Sequence, residues 1–330
     1  YKMKINAAVI GSGIGIKHLE AINKYKKSKV SVLCEKDKSK ISFLKKKYTD
    51  IKIVSTENAI FQDKSINLVS IASYDNYHFS QILKCIKYNK NIIVEKPMCL
   101  TLPQLKKIIF LTKKKPKIQI TSNLVLRVNS LFSTLKKKID PKKVFYIEAD
   151  YMWGRIHKLY EWRSKVKNYS LTLGAGIHVI DLAMWLLNNK PISVQAHGNN
   201  LGSKNSKFKK LSFILYVLKF PKNIIVKVSA NAAGQYNHFH ELRIFQKGKT
   251  IVHSLKGTFV FDRKNKETAI QSNYPDKESR GKLIHNFIDI LLDRKKKPII
   301  SLQEQIDLMT VCFAADQSLK NKKEINIRYL

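Results

Sequence analysis

Short apolar runs alternate with helix-type spacing over the first third of the chain. Residues 5–10 (INAAVI), 30–34 (VSVLC), 67–72 (NLVSIA), 91–94 (NIIV) and 117–121 (KIQIT) read as strands. Between them, 16–27, 38–48, 57–63, 77–88 and 101–114 place apolar residues three and four positions apart, as a helix does. Strands that are apolar throughout and separated by helices are covered on both faces, so the pattern predicts a doubly wound parallel sheet. Ligands of such a sheet bind at the carboxyl ends of its strands.

The pattern changes after about residue 125. A helix around 129–138 leads to a strand at 143–152, then to an irregular stretch rich in Trp, Arg and Tyr. A helix at 176–188 precedes strand-like runs at 192–199, 208–220, 223–233, 239–246, 249–254 and 257–263, with helices at 280–293 and 302–319 closing the chain. Successive strands joined by turns argue for an open, largely antiparallel sheet. The expected fold class is therefore α/β with two domains. Residues 1–122 form a Rossmann dinucleotide-binding domain and 123–330 an α/β substrate-binding and oligomerisation domain, with a cleft between them. A chain of 330 residues has the length for two such domains.

Composition narrows the function classes. No apolar run reaches the roughly 20 residues of a membrane-spanning helix; LSFILYVLKF at 211–220 is strand-sized and contains Lys219. The run INAAVIGSG near the start reads as a core strand and not as a signal peptide. Cys34, Cys85, Cys99 and Cys312 lie among apolar neighbours with no CxxC spacing, which points to buried thiols in a cytoplasmic protein and to no metal site. The net charge of +38 comes from 62 basic residues of which only 8 are Arg. Lysine runs such as Lys45–Lys47, Lys113–Lys115, Lys136–Lys138 and Lys295–Lys297 are spread along the chain as solvated faces, which argues against a nucleic-acid partner. The same charge steers anionic small molecules inward.

Four stretches carry candidate chemistry. In VIGSGIGIKH (9–18) the turn Gly11, Ser12, Gly13, Ile14, Gly15 follows the first strand and opens the first helix. Glycines there let backbone approach a pyrophosphate seated on the helix N-terminus, although the spacing is one residue shorter than GxGxxG. Glu35, at the end of the second strand, is placed to accept hydrogen bonds from the ribose hydroxyls of NAD. Lys36 beside it suits the 2′-phosphate of NADP, so both cofactors stay open, with no metal required. In SIASYDNYH (70–78), Ala72 and Ser73 leave room for a cofactor at a strand end, while His78 is either a cofactor neighbour or a helix-start packing residue. In VEKPMCL (94–100), Glu95 and Lys96 stand at the end of a strand, with Lys96 able to hold a substrate oxygen. In LGAGIHVIDL (173–182), His178 and Asp181 share a helical face, either as a catalytic pair or as a core histidine with a satisfied neighbour.

Taken in order, these four stretches resemble the Gfo/Idh/MocA family of NAD(P)-dependent oxidoreductases over essentially the whole chain. The resemblance implies hydride transfer to or from a secondary alcohol of a sugar, sugar nucleotide or polyol, by a homo-oligomer. It implies that Lys96 touches substrate and cofactor, that the Lys96–Pro97 bond is cis, and that His178 is the acid/base with Asp181 nearby. Many members carry an aspartate four residues before that histidine, and this chain has Gly174. The alternative is a non-catalytic, cofactor-binding regulator or scaffold of the same fold. Trp153, Arg155 and Arg163, in a segment that also holds Trp162, fit an acidic group of a substrate or pack a domain junction. Tyr236, a candidate substrate contact, precedes His238 and His240, which share a strand face and read as a plain surface or a cleft lining, since a metal there would need a third ligand.

Overall fold

A computed structural model describes residues 4–330 and divides them into two compact units. In the first, β1 (Ile5–Ile10), β2 (Ser28–Cys34), β3 (Lys52–Val54), β4 (Leu68–Ile71), β5 (Asn91–Val94) and β6 (Ile120–Ser122) form one parallel sheet. Helices α1 (Gly15–Lys24), α2 (Lys38–Lys47), α3 (Asn58–Gln62), α4 (Asp75–Lys87) and α5 (Leu102–Lys114) connect the strands. The strand order β3-β2-β1-β4-β5-β6 reverses direction between β1 and β4, the switch point at which open α/β sheets bind their ligands. The continuous apolar runs are buried as their pattern requires: Ala7, Ala8 and Val9 of β1 and Leu68, Val69 and Ile71 of β4 are fully covered. The extra strand β3 is only three residues long, too short to announce itself by periodicity.

The second unit contains α6 (Ser130–Lys138), β7 (Val144–Met152), the short helical turns α7 (His157–Tyr160) and α8 (Trp162–Lys165), and α9 (Ile177–Leu187). Strands β8 (Ser193–Asn199), β9 (Phe213–Lys219), β10 (Ile225–Asn231), β11 (Phe239–Gln246), β12 (Lys249–Ser254), β13 (Gly257–Asp262) and β14 (Glu267–Ala269) follow. With β7 and the terminal β15 (Ile325–Asn326) they build a nine-stranded sheet in the order β14-β13-β12-β11-β7-β10-β9-β8-β15. Among the described residues only β7 and β10 pair in parallel within it.

The last two helices, α10 (Gly281–Leu292) and α11 (Leu302–Asn321), part company. The stretch Glu278–Gln305, with α10, belongs to the first unit, whereas residues from Ile306 onward belong to the second. Sequence order places the whole of 123–330 in one domain; the fold instead returns α10 to the dinucleotide-binding unit. Its Ile284, Phe287, Ile288 and Leu291 enter one core with Ile5, Val9, Leu19 and Ile22. Burial of that apolar face, worth roughly 1.5–3 kcal/mol per large side chain, outweighs chain proximity.

Candidate active site

The glycine turn shows why its residues are what they are. Gly11 adopts φ +96°, and a Cβ on it would lie 2.5 Å from the Ala72 carbonyl oxygen. Only glycine meets both conditions at low cost. The first turn of α1 has no side-chain cap and no acidic residue, and its Ile16 and Lys17 N–H groups already donate to the Gly13 and Ile14 carbonyls, so what the turn offers an anion is the positive end of the helix dipole. At the end of β2, Glu35 accepts hydrogen bonds from the Ser12 N–H (3.1 Å), the Ser12 hydroxyl and the Asp37 N–H (2.9 Å). Burial raises the Glu35 pKa, but these hydrogen bonds prevail and hold it below the usual carboxylate range. Lys36 is exposed, its ammonium 4.5 Å above the ring of Tyr77. Turn, helix and ionised carboxylate together fit a dinucleotide.

Beneath that turn lies a buried polar cluster. His18, in α1, is 2.7 Å from the Ser70 hydroxyl through Nδ1 and 2.9 Å from Glu95 Oε1 through Nε2. Asn123 Nδ2 donates to the same carboxylate oxygen at 2.7 Å. Burial alone would push the Glu95 pKa up; hydrogen bonding and charge from His18, with Asn123 and Lys96, bring it down to about 2. An ionised Glu95 thus stands beside the half-buried Lys96. The Lys96–Pro97 bond is cis, as the resemblance implies. His78 is fully buried, 2.7 Å from the Pro97 carbonyl oxygen and 3.0 Å from that of Ser73. It therefore ties the Ser73 strand end to the Lys96–Pro97 turn. Ala72 is buried and the Ser73 hydroxyl donates to Gln81 Oε1 at 2.7 Å.

The second unit presents the other candidates. A single π-turn, Thr172–Gly176, runs directly into α9, a local widening frequent at functional sites. His178 stays half-exposed at the start of a helix whose other first-turn residues, Ile177, Val179 and Ile180, are buried. The ring of Tyr151 meets its imidazole edge-on at 5.9 Å. Asp181 lies deeper, 1% exposed, where Arg127 Nε donates to both its oxygens at 3.1 Å and Nη2 donates at 2.7 Å. Tyr151 also packs against His238 at 5.3 Å and stacks on His240 at 4.2 Å, so the two histidines do share a face. Two ring contacts in series keep the imidazoles of His178 and His238 within about 11 Å. Past β7, the Arg163 guanidinium lies 4.2 Å over Trp162 and 5.6 Å from Trp153. Burial, Arg155 and Arg163 together lower the pKa of Lys158. Tyr236 is exposed and donates to Glu241 at 3.0 Å.

Family models decide what this geometry belongs to. Residues 5–123 match the "Oxidoreductase family, NAD-binding Rossmann fold" model, and residues 142–260 match the "GFO/IDH/MocA C-terminal domain" model. The chain belongs to the Gfo/Idh/MocA family. It is similar to an inositol 2-dehydrogenase/D-chiro-inositol 3-dehydrogenase of Lacticaseibacillus casei, at 24% identity over 87% of this chain and 84% of that one. A myo-inositol 2-dehydrogenase of Thermotoga maritima is 20% identical over 97% of each chain. Among solved structures, an Agrobacterium radiobacter oxidoreductase in complex with NAD+, L-tartaric acid and magnesium superposes with a TM-score of 0.85, at 16% identity over 98% of both chains. This Gfo/Idh/MocA member is thus an oxidoreductase whose first unit is an NAD-binding Rossmann domain. No helix among the described residues is long and apolar enough to cross a membrane.

Within this family member, sequence reasoning missed Ser70, Asn123 and Arg127. Ser70 and Asn123 are buried polar residues at the ends of apolar strands, and a polar residue in such a position is the signal that could have flagged them. Arg127 is one of only 8 arginines in the chain, but its partner lies 54 positions away in sequence, beyond any local pattern.

Proposed function

We propose that this protein oxidises, or in reverse forms, a secondary alcohol of a polyol or sugar-like substrate with NAD. The observation that carries the reading is His178, half-exposed at the head of a helix otherwise buried in its first turn. Bound NAD would supply the hydride acceptor. Gly11 to Gly15 and Glu35 would hold its pyrophosphate and ribose, with Ala72 and Ser73 at the strand end beside them.

The protein's own task is then to manage the proton. Imidazole is the side chain whose ordinary titration range brackets neutral pH, so His178 is suited to take the alcohol proton and return it. Lys96 is suited to stabilise negative charge developing on a substrate oxygen. Ionised Glu95 keeps that lysine's surroundings anionic. Trp153, Arg155, Arg163 and Tyr236 would border the substrate, and the clustered cations Arg155, Lys158 and Arg163 favour one bearing an acidic group. The inositol dehydrogenases among the relatives support a ring polyol as the first compound to try.

The test is NAD reduction across a panel of inositols, sugar acids and sugar nucleotides. Lys96→Ala and His178→Ala are each expected to lower kcat by about 10²–10⁴-fold while leaving NAD affinity within a few fold. Near-normal turnover in both variants would remove the assignment. NAD binding with no turnover on any panel member would instead favour the non-catalytic regulator.

A further inference from the structure

We infer that Tyr77 is a specificity-determining residue: it holds the Lys36 ammonium away from the cofactor ribose, so that Glu35 alone meets the 2′ position and NAD is taken in preference to NADP. The inference rests on the proposed seat of the ribose at Glu35 and not on the identity of the substrate. Two cofactors that differ only by a 2′-phosphate are told apart by the charges at that position. Here a carboxylate and a cation are neighbours in sequence, and a net charge of +38 favours the more anionic NADP from a distance. The choice therefore depends on where the two side chains go.

They part at the end of β2. Glu35 turns to the glycine loop, where it accepts from the Ser12 N–H and hydroxyl, and it also accepts from the Asp37 N–H. Against the opposing effect of burial, those bonds keep the carboxylate ionised. Lys36 goes to α4 instead, where its ammonium stands 4.5 Å from the centre of the Tyr77 ring. A cation over a phenol face at that distance is attracted by the ring quadrupole.

The surroundings of Tyr77 strengthen the hold. Tyr77, Gln81 and Lys84 follow one another at four and three positions along α4 and so share one face. Gln81 Nε2 donates to Glu57 at 2.6 Å and Lys84 Nζ donates to it at 2.8 Å, while the Lys84 ammonium lies 5.4 Å over the Phe61 ring. That face of α4 is thus fixed against the start of α3, with the Glu57 carboxylate between them. Burial raises the Glu57 pKa, but the hydrogen bonds from Lys84 and Gln81, with the charges of Lys84 and Lys36, bring it below the usual carboxylate range. On the α4 side Lys36 therefore has both an aromatic face and an anion, and a 2′-phosphate could claim it only by undoing that arrangement.

The test reads NADH and NADPH binding to the full-length chain by fluorescence titration, with no substrate present. The unmodified protein is expected to bind NADH more tightly, and a preference for NADPH overturns the inference. Lys36→Ala is expected to leave the ratio of the NADPH to the NADH dissociation constant within twofold, because a lysine held by Tyr77 contributes nothing at the 2′ position. A larger change shows Lys36 already acting there and overturns the inference. Tyr77→Ala is expected to lower the ratio about two- to fivefold, and the same change in the Lys36→Ala background is expected to leave it unmoved. An unchanged ratio in Tyr77→Ala, or a gain that survives without Lys36, also counts against the assignment. Tyr77 is exposed; should its Ala variant fail to fold, the Lys36→Ala arm decides. The series is repeated in Glu35→Gln, where loss of the repelling carboxylate brings weak NADPH binding into range. If no compound of the substrate panel is turned over while these ratios hold, the functional reading fails and the inference stands. Turnover with NAD alongside a Lys36-dependent affinity for NADPH sinks only the inference.

Discussion

At Gly11, a positive φ and a carbonyl oxygen 2.5 Å from the place of a Cβ combine at one residue. Gly11→Ala is expected to move that turn away from Ala72 and to weaken NAD binding at least tenfold, measured by quenching of intrinsic fluorescence. Unchanged affinity would show that the cofactor does not use the turn. Asp181 makes the opposite kind of prediction. Its carboxylate is buried in a two-oxygen pairing with Arg127, and breaking a buried pair by removing one charge costs about 3–5 kcal/mol. Asp181→Asn should therefore lower the melting temperature markedly, and Arg127→Met/Asp181→Leu should recover part of the loss. A drop in kcat at an unchanged melting temperature would return Asp181 to direct catalysis.

At the scale of elements, the regular parts of this fold are written in its periodicity. The strand–helix alternation to residue 114 and the antiparallel runs after 192 come from patterns that repeat over several residues, and the observed elements follow them to within a few positions. The Gly11–Gly15 turn, Glu35 and Lys96 were readable because a fixed order of strand, turn and helix sets their place. What was not readable depends on contacts between distant residues. The bond between Glu95 and His18 spans 77 positions, and α10 crosses back to the first core. The reason for Gly174 lies in the Tyr169 ring, whose Cζ would stand 2.6 Å from a Cβ there, and no spacing rule contains that ring's orientation.

Two titrating groups of the second unit also belong to this scale. Burial on β12 lowers the His253 pKa to about 4, and burial on α11 raises that of Asp316 to about 6. As pH falls from 6.5, the unfolded chain protonates its histidine before the folded one does, and stability is lost, up to about 3 kcal/mol. Over nearly the same range the folded state protonates Asp316 before the unfolded chain does, and stability is gained by a similar amount. The two slopes oppose each other. His253→Gln should unmask the second, so that urea unfolding of this variant becomes harder between pH 6.5 and 5. A stability that still falls with acid would show that Asp316 does not govern this region.

For the whole molecule, a net charge of +38 on 330 residues sets a broad self-repulsion against compactness. The screening length shrinks from about 10 Å at 0.1 M salt to about 3 Å at 1 M. The melting temperature should therefore rise steadily with added NaCl; a flat or falling response would mean that attractive pairs such as Lys84–Glu57 outweigh the repulsion.

The return of α10 to the first core has a consequence for how the protein is made. Its Ile284, Phe287, Ile288 and Leu291 are among the last core residues of the Rossmann unit to leave the ribosome, after every strand of the other sheet except β15. At about 5–20 residues per second, the stretch from residue 125 to 291 takes roughly 10–30 s to synthesise. Throughout that interval Leu19, Ile22 and Val30 lack the helix that covers them. The first unit to begin is therefore long left open, and the nascent chain has to keep an apolar face from its neighbours on the polysome while most of the second sheet is being built.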